Sequence, residues 1–304
     1  MEALTFHSNG SKLVATLRSP TANGKGVPSP GILVMGSWLT VKEQMAENYA
    51  RLLAELGFAT LTFDFRGFGA SEGGPREVES ARSKAEDILN AAAFLRTRPE
   101  IDPRRIGVLA ICASASYCAL ALQGMPAEEC PIQSAAMVAP WIHDRAIIER
   151  LYGGPAAVAE RLARASAARE HYAKTGAVEY IAAASATDSS AAMYAPGDVY
   201  DYYLNPQRAA LPSWGGRFGV MGWTEWLEAD FVALGPGFSV PLCVVTGEGT
   251  ATPDGVRRFV RGLPRPAEVV SSDGTQFDFY DNPQNVRFAA ERAAGHFRKT
   301  FGSA

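Results

Sequence analysis

Histidine and cysteine are scarce in this sequence, and long apolar runs are missing altogether. Only four histidines occur in 304 residues (His7, His143, His171 and His296), so few side chains can serve as a general base near neutral pH. The four cysteines, Cys112, Cys118, Cys130 and Cys243, form no CxxC pair, which argues against a disulfide framework or structural zinc, and no metal is expected. No stretch approaches the roughly 20 consecutive apolar residues of a membrane span. Net charge is −3 with Lys and Arg scattered, so the basic stripe that grips nucleic-acid phosphates is lacking. The glycine-rich run RGFGASEGG at 66–74 does not have the GxGxxG spacing of a dinucleotide site, and no cofactor is expected. Residues 1–11 lack the basic start and apolar run of a secretory signal. These absences lead to the expectation of a cytoplasmic protein whose partner is a small molecule, with no membrane and no nucleic acid. A homodimer is compatible with the sequence, which leaves the oligomeric state open.

What is present reads as a compact α/β chain, with 47% hydrophobic and 20% charged residues. Short apolar runs at 31–35 (GILVM), 59–65 (ATLTFDF), 106–111 (IGVLAI) and 134–138 alternate with helix-period segments at 42–56, around 88–95, and 114–123. On the 42–56 segment Met45, Tyr49, Leu52, Leu53 and Leu56 share one face, and Gly57 ends it. This rhythm predicts a mostly parallel sheet flanked by helices. It stops after Pro140. From 141 to 238 an alanine-rich helical stretch is followed by a tract rich in Tyr and Trp, without alternating strands, and strand-like runs resume at 241–246 and 267–270 before a helix at 283–301. The expectation is a core of residues 1–140 and 239–304 interrupted by a helical cap at 141–238. A Gly/Pro-rich loop at 19–30 is the only linker-like stretch.

At RIGVLAICASASY, the small residues Ala110 and Ser114 flank Cys112 by two positions at a strand-to-helix junction. A sharp turn there crowds its flanks, so small residues are needed while the central side chain projects above the sheet. The helix that follows aims its N-terminal amides at the thiol, which is expected to lower its pKa. The competing readings are a merely buried cysteine, or Ser114 as nucleophile. Ser114 falls inside the first helical turn, where capping is its expected role.

At this point the chain resembles the α/β-hydrolase superfamily, in particular its dienelactone-hydrolase-like branch, in which a cysteine can occupy the elbow. VMGSW, FDFRGFGASEG, the elbow, a cap, PLCVVTGE and DGTQFDFYD stand in the order of that family's motifs. The resemblance implies an α/β-hydrolase fold, Cys112 as nucleophile, and an oxyanion hole built from the N–H of Ala113 and a donor in the 36–38 loop, with Ser37 as the candidate. It also implies an acid and a histidine that this chain lacks. The acid position falls at or near Thr250 in GEGTATPDG, leaving Glu248 and Asp254 as neighbouring carboxylates. Gln276 stands where the histidine belongs, and an amide can orient a substrate but not shuttle a proton.

Among the histidines, His7, His171 and His296 read as surface or packing residues. His143, in APWIHD, follows the strand beside the elbow strand, so it is the candidate for a relocated base, with Asp144 or Glu248 as partner. The alternative is a hinge or cap contact. Glu43, with Lys42 in TVKEQ, is a lesser candidate near the thiol, and Asp64, Arg66 and Gly67 read as a supporting turn. Trp38, Trp141 and Trp214 are candidate substrate-binding residues in an aromatic pocket for a small apolar, polyketide-like molecule. The function expected is acyl chemistry on an ester, lactone or thioester, by hydrolysis or transfer. Two alternatives stay open: a cyclase, isomerase or carbon–carbon lyase on the same fold, and a ligand-binding pseudoenzyme.

Overall fold

The computed structural model describes residues 1–20, 27–126 and 128–302, so part of the 19–30 loop lies outside the described residues. In chain order the elements are β1 (Glu2–Ser8), β2 (Ser11–Arg18), β3 (Ser29–Met35), α1 (Met45–Glu55), β4 (Ala59–Phe63), α2 (Ala81–Arg96), β5 (Ile101–Ile111), α3 (Ala113–Leu122) and β6 (Ser134–Val138). There follow α4 (Arg145–Leu151), α5 (Pro155–Thr175), β7 (Tyr180–Ala182), β8 (Ala184–Ser185), β9 (Met193–Tyr194), α6 (Asp201–Leu204), β10 (Arg217–Gly219) and α7 (Trp223–Glu228). The chain closes with β11 (Leu242–Thr246), α8 (Pro253–Arg261), β12 (Glu268–Ser271), α9 (Asp278–Asp281) and α10 (Pro283–Phe301).

Eight strands form one sheet in the order β1-β2-β4-β3-β5-β6-β11-β12. The β1–β2 and β2–β4 pairs are antiparallel, and every pair from β4 to β12 is parallel. Central parallel strands are covered on both faces, which is why Ile106, Val108, Leu109 and Ile111 read as an unbroken apolar run and are all buried. Helices α1 and α10 pack together, and α2 packs on α3. On α10 the buried stripe is Val286, Ala289, Ala290, Ala293, Ala294, His296 and Phe297, in which the four alanines let the helix lie close to the sheet.

Between β6 and β11 no described residue joins the main sheet. Helices α4 to α7 occupy this segment, which also carries two small strand pairs, β7 with β10 and β8 with β9, too short to show a period-2 pattern. The helix read from 42 starts at Met45, because the Lys42 side chain and backbone are drawn into a turn by Asp64. Among the described residues no helix is long and apolar enough to cross a membrane.

Candidate active site

The parallel strands bring the loop after β3, the β5–α3 junction and the loops after β11 and β12 to the sheet's carboxyl edge, where open α/β sheets bind ligands. Cys112 leaves β5 with φ 57° and ψ −119°, a conformation that costs a side-chain-bearing residue free energy. Three backbone bonds hold it there. Its N–H donates to the Val138 carbonyl at 3.1 Å, and its carbonyl accepts from Ala115 at 3.1 Å and Trp141 at 2.9 Å. Ser114 is fully buried and its hydroxyl is committed to Ile111 and Met35 backbone groups, so it staples the strand end.

The Cys112 side chain lines a cavity of about 400 Å³ beneath the 141–238 segment. Around the thiol are the N–H groups of Ala113 and Trp38 and the hydroxyls of Ser37 and Tyr280. Burial raises its pKa above the ordinary thiol value, outweighing the lowering by those four donors, so the acidic thiol expected from the helix N-terminus is not found. Ser37 also departs from expectation. Its N–H is turned to the Met45 sulfur at 3.4 Å, leaving the backbone amide beside the thiol to Trp38, while Ser37 contributes its hydroxyl. The loop can turn this tightly because residue 36 is glycine: a Cβ there would lie 2.7 Å from Thr40 Oγ1 and 2.9 Å from Met45 Sδ.

A chain of neutral polar groups stands where a base and acid would be. Tyr203 donates to Ser37 Oγ at 3.2 Å, Tyr280 Oη lies 3.3 Å from the same oxygen with its single proton shared between it and the thiol, and Gln276 Nε2 donates to Tyr280 Oη at 3.2 Å. Gln276 is itself pinned, Nε2 donating to Ala139 O at 2.8 Å and Oε1 accepting from Ala251 N–H at 2.9 Å. Burial lifts the Tyr280 pKa well above the ordinary phenol value, so it stays a donor at neutral pH. Thr250 spends its hydroxyl on Gly247 O and Thr246. No histidine or carboxylate is among the described residues that line the cavity.

His143 does not reach it. The ring is fully buried behind the cavity wall, with Nδ1 accepting from Trp141 Nε1 at 2.7 Å and Nε2 facing the Trp226 carbonyl at 2.9 Å. Those partners fix the neutral tautomer with hydrogen on Nε2, and burial lowers the pKa to about 4. Asp144 does not partner it, because it caps α4 through Ile147 N–H and pairs with Arg258. Glu248 projects to solvent and pairs with Arg257. The Cys112–His143–Asp144 arrangement read from the sequence is therefore not assembled, since the helix cap and the indole wall claim both residues. Glu43 lies beside Lys42, which Asp64 also binds, and neither lines the cavity.

Of the three tryptophans, Trp38 and Trp141 line the cavity and Trp214 does not. Trp214 stands behind, stacked on Tyr203 at 5.7 Å with its Nε1 donating to Leu39 O at 2.8 Å. Gln44 Nε2 donates to Ala209 O at 2.8 Å, a second bond between the loop after β3 and the 141–238 segment. Trp226 completes the wall, 4.9 Å from Trp38 and 5.7 Å from Trp141. Sequence reading missed the parts of Tyr280, Tyr203 and Trp226. Tyr280 had a usable signal, its position four residues after Gln276, one helical turn away.

No family model matches the chain. An uncharacterized protein of Pseudomonas aeruginosa, PA2218, is 42% identical over 103 residues, 34% of this chain and 28% of the relative. Its crystal structure superposes with a TM-score of 0.82 at 23% identity, covering 98% of this chain and 93% of that one. Thiohydrolase aneE of Aspergillus aculeatus is 34% identical over 106 residues, 35% of this chain and 32% of the relative. Polyketide transferase grgF of a Penicillium species is 28% identical over 83 residues, 27% of this chain and 28% of the relative. The crystal structure of the α/β hydrolase GrgF from Penicillium has a TM-score of 0.79 at 18% identity, covering 99% of this chain and 98% of that one. The sequence matches thus span about a third or less of each relative's length. Strand order, elbow and whole-chain superposition agree: this chain has the α/β-hydrolase fold.

Proposed function

We propose that the protein is an acyl-transfer enzyme in which Cys112 carries the acyl group of a small, largely apolar, polyketide-like thioester. The observation that carries this reading is the pairing of an elbow thiol facing two backbone amides with a pinned Gln276 in place of a proton-shuttling imidazole. The names of two relatives, a thiohydrolase and a polyketide transferase, lend it support. The residues 141–238 act as the cap and 1–140 with 239–304 as the catalytic core.

In the first step the Cys112 sulfur attacks the thioester carbonyl, and the N–H groups of Ala113 and Trp38 stabilise the oxyanion. The S–H proton passes to Ser37 Oγ while the Ser37 hydroxyl proton goes to the departing sulfur. One C–S bond forms, one breaks, and the leaving group departs as a neutral thiol. Because the exchange needs a relay and no net acceptor, a raised thiol pKa is compatible with it. Release to an alcohol or amine acceptor reverses the proton path: the acceptor's proton passes to Ser37 Oγ and the Ser37 proton returns to the Cys112 sulfur. The same relay serves water, and the largely apolar lining, which offers no base to activate water further, favours a bound acceptor over it. The fixed amide of Gln276 orients Tyr280, which holds Ser37 in place.

Intact-protein mass after incubation with N-acetylcysteamine thioesters tests this reading. The expected result is an acyl adduct on the wild type and none on Cys112→Ala, with the acyl group moving on to an added nucleophile faster than to water. Full turnover by Cys112→Ala would point instead to non-hydrolytic chemistry on the same fold. Binding with neither adduct nor turnover would mark a pseudoenzyme.

A further inference from the structure

The cavity contains one charged side chain among its described lining residues, Arg161 of α5, and no carboxylate. No ion pair is formed by Arg161 among the described residues, although Arg145, Arg150 and Arg164 of the same segment have carboxylate partners. Its Nη1 donates to the carbonyls of Tyr152 at 3.1 Å and Ala157 at 3.0 Å, which fixes the guanidinium against the wall. The planar group lies 5.5 Å from the Tyr152 ring centre and 5.8 Å from that of Trp223, both aromatic faces that favour a cation. No hydrogen bond from Nε or Nη2 is made to a described residue, so one edge of the fork is held and donors remain for a ligand. Arg161 is partly exposed, and no side-chain carboxylate of the cavity supplies an acceptor for its remaining donors.

We infer that Arg161 forms an anion-recognition subsite, selecting acyl groups that carry a carboxylate or enolate oxygen at a distance from the thioester carbonyl. The cavity floor, at Cys112, belongs to the sheet, whereas Arg161 stands on a cap helix, so the two contact different parts of one ligand. The apolar wall of Trp38, Trp141 and Trp226 takes the intervening carbon chain. Arginine suits the task because its fork binds a carboxylate or a 1,3-dicarbonyl enolate through two parallel N–H groups. The inference deepens the acyl-transfer reading by naming the substrate class, but the subsite itself can be measured without any chemistry at Cys112.

Three N-acetylcysteamine thioesters of equal chain length, ending in carboxylate, carboxamide or methyl, serve as probes. Binding is followed by tryptophan fluorescence in the unreactive Cys112→Ala variant, alone and combined with Arg161→Gln or Arg161→Lys. The carboxylate probe should bind about tenfold or more tighter than the carboxamide when Arg161 is present, a ratio typical of one charge-assisted hydrogen-bond pair. Arg161→Gln should abolish the ratio and Arg161→Lys restore part of it. Equal binding of the three probes, or an equal loss for all three in Arg161→Gln, overturns the subsite and leaves Arg161 a structural support. If the wild type forms no adduct while Cys112→Ala still prefers the carboxylate, the subsite stands and the acyl-transfer reading falls.

Discussion

Acid should loosen this protein through His143. In the folded state burial lowers its pKa from 6.5 to about 4. The unfolded chain therefore binds more protons than the folded one between those values, and stability falls as pH drops below about 6.5, the loss being complete below about pH 4. At 1.36 kcal/mol per pH unit the whole gap is worth about 3 kcal/mol, and about 2 kcal/mol of it is lost by pH 5. The contacts supply a reason. A proton on Nδ1 would face the Trp141 indole N–H that it now accepts, donor against donor, while Asp144 offsets only part of the burial cost. His296 is also pushed down by burial and adds a loss of the same sign, so the wild type alone cannot isolate the effect. Urea denaturation of the wild type and His143→Gln at pH 7.5 and 5.0 does so. The wild type should lose about 2 kcal/mol more than the variant between the two pH values. Equal losses would refute the reasoning, since His143 would then titrate as an exposed histidine. Adduct formation on Cys112 should survive in His143→Gln, with a higher KM for apolar probes as the Trp141 wall loosens.

Two further outcomes follow from the site. At φ 57° the residue at 112 is better served by glycine than by alanine, so Cys112→Gly should be more stable than Cys112→Ala by about 1 kcal/mol in the same denaturation assay, although it has lost more side chain. Alanine proving the more stable would show that the elbow is unstrained. Ser37→Ala and Tyr280→Phe each remove a hydroxyl that lowers the thiol pKa, so iodoacetamide alkylation of Cys112 at pH 8 should slow by about 2- to 10-fold in either variant. A rate equal to the wild type's would mean those hydroxyls do not interact with the sulfur.

Periodicity carried most of the fold into view. The runs at 134–138 and 283–301 coincide with β6 and α10, because continuous burial of a parallel strand and a one-faced helix both leave marks in sequence. Cys112 was legible for a similar local reason, its small neighbours at a strand-to-helix junction. The partners of Cys112 were not legible, because they are set by long-range packing. His143 is five residues past a strand beside the elbow, yet its ring points to Trp141 and Trp226, and nothing in APWIHD encodes the distant Trp226 carbonyl. The sequence offers Asp144 as a catalytic partner, but in the fold it is taken as the cap of a helix. The effect of burial on the thiol was hidden too, since a motif reports the amides at a helix start and not the surface that covers them. The short strands β7 to β10 fall below the length at which alternation can be recognised.

The bonds from Trp214 to the Leu39 carbonyl, from Gln44 to the Ala209 carbonyl and from Tyr203 to Ser37 tie residues 203–214 to the very loop that presents the Trp38 amide. Any displacement of residues 203–214 would strain or break those ties, so that segment and the amide cradle are mechanically coupled. If the segment acts as the proposed cap, an open molecule is also an unassembled one, and water entering it would meet a disarmed thiol. Such an interlock would protect a carried acyl group from stray hydrolysis without any residue dedicated to excluding water.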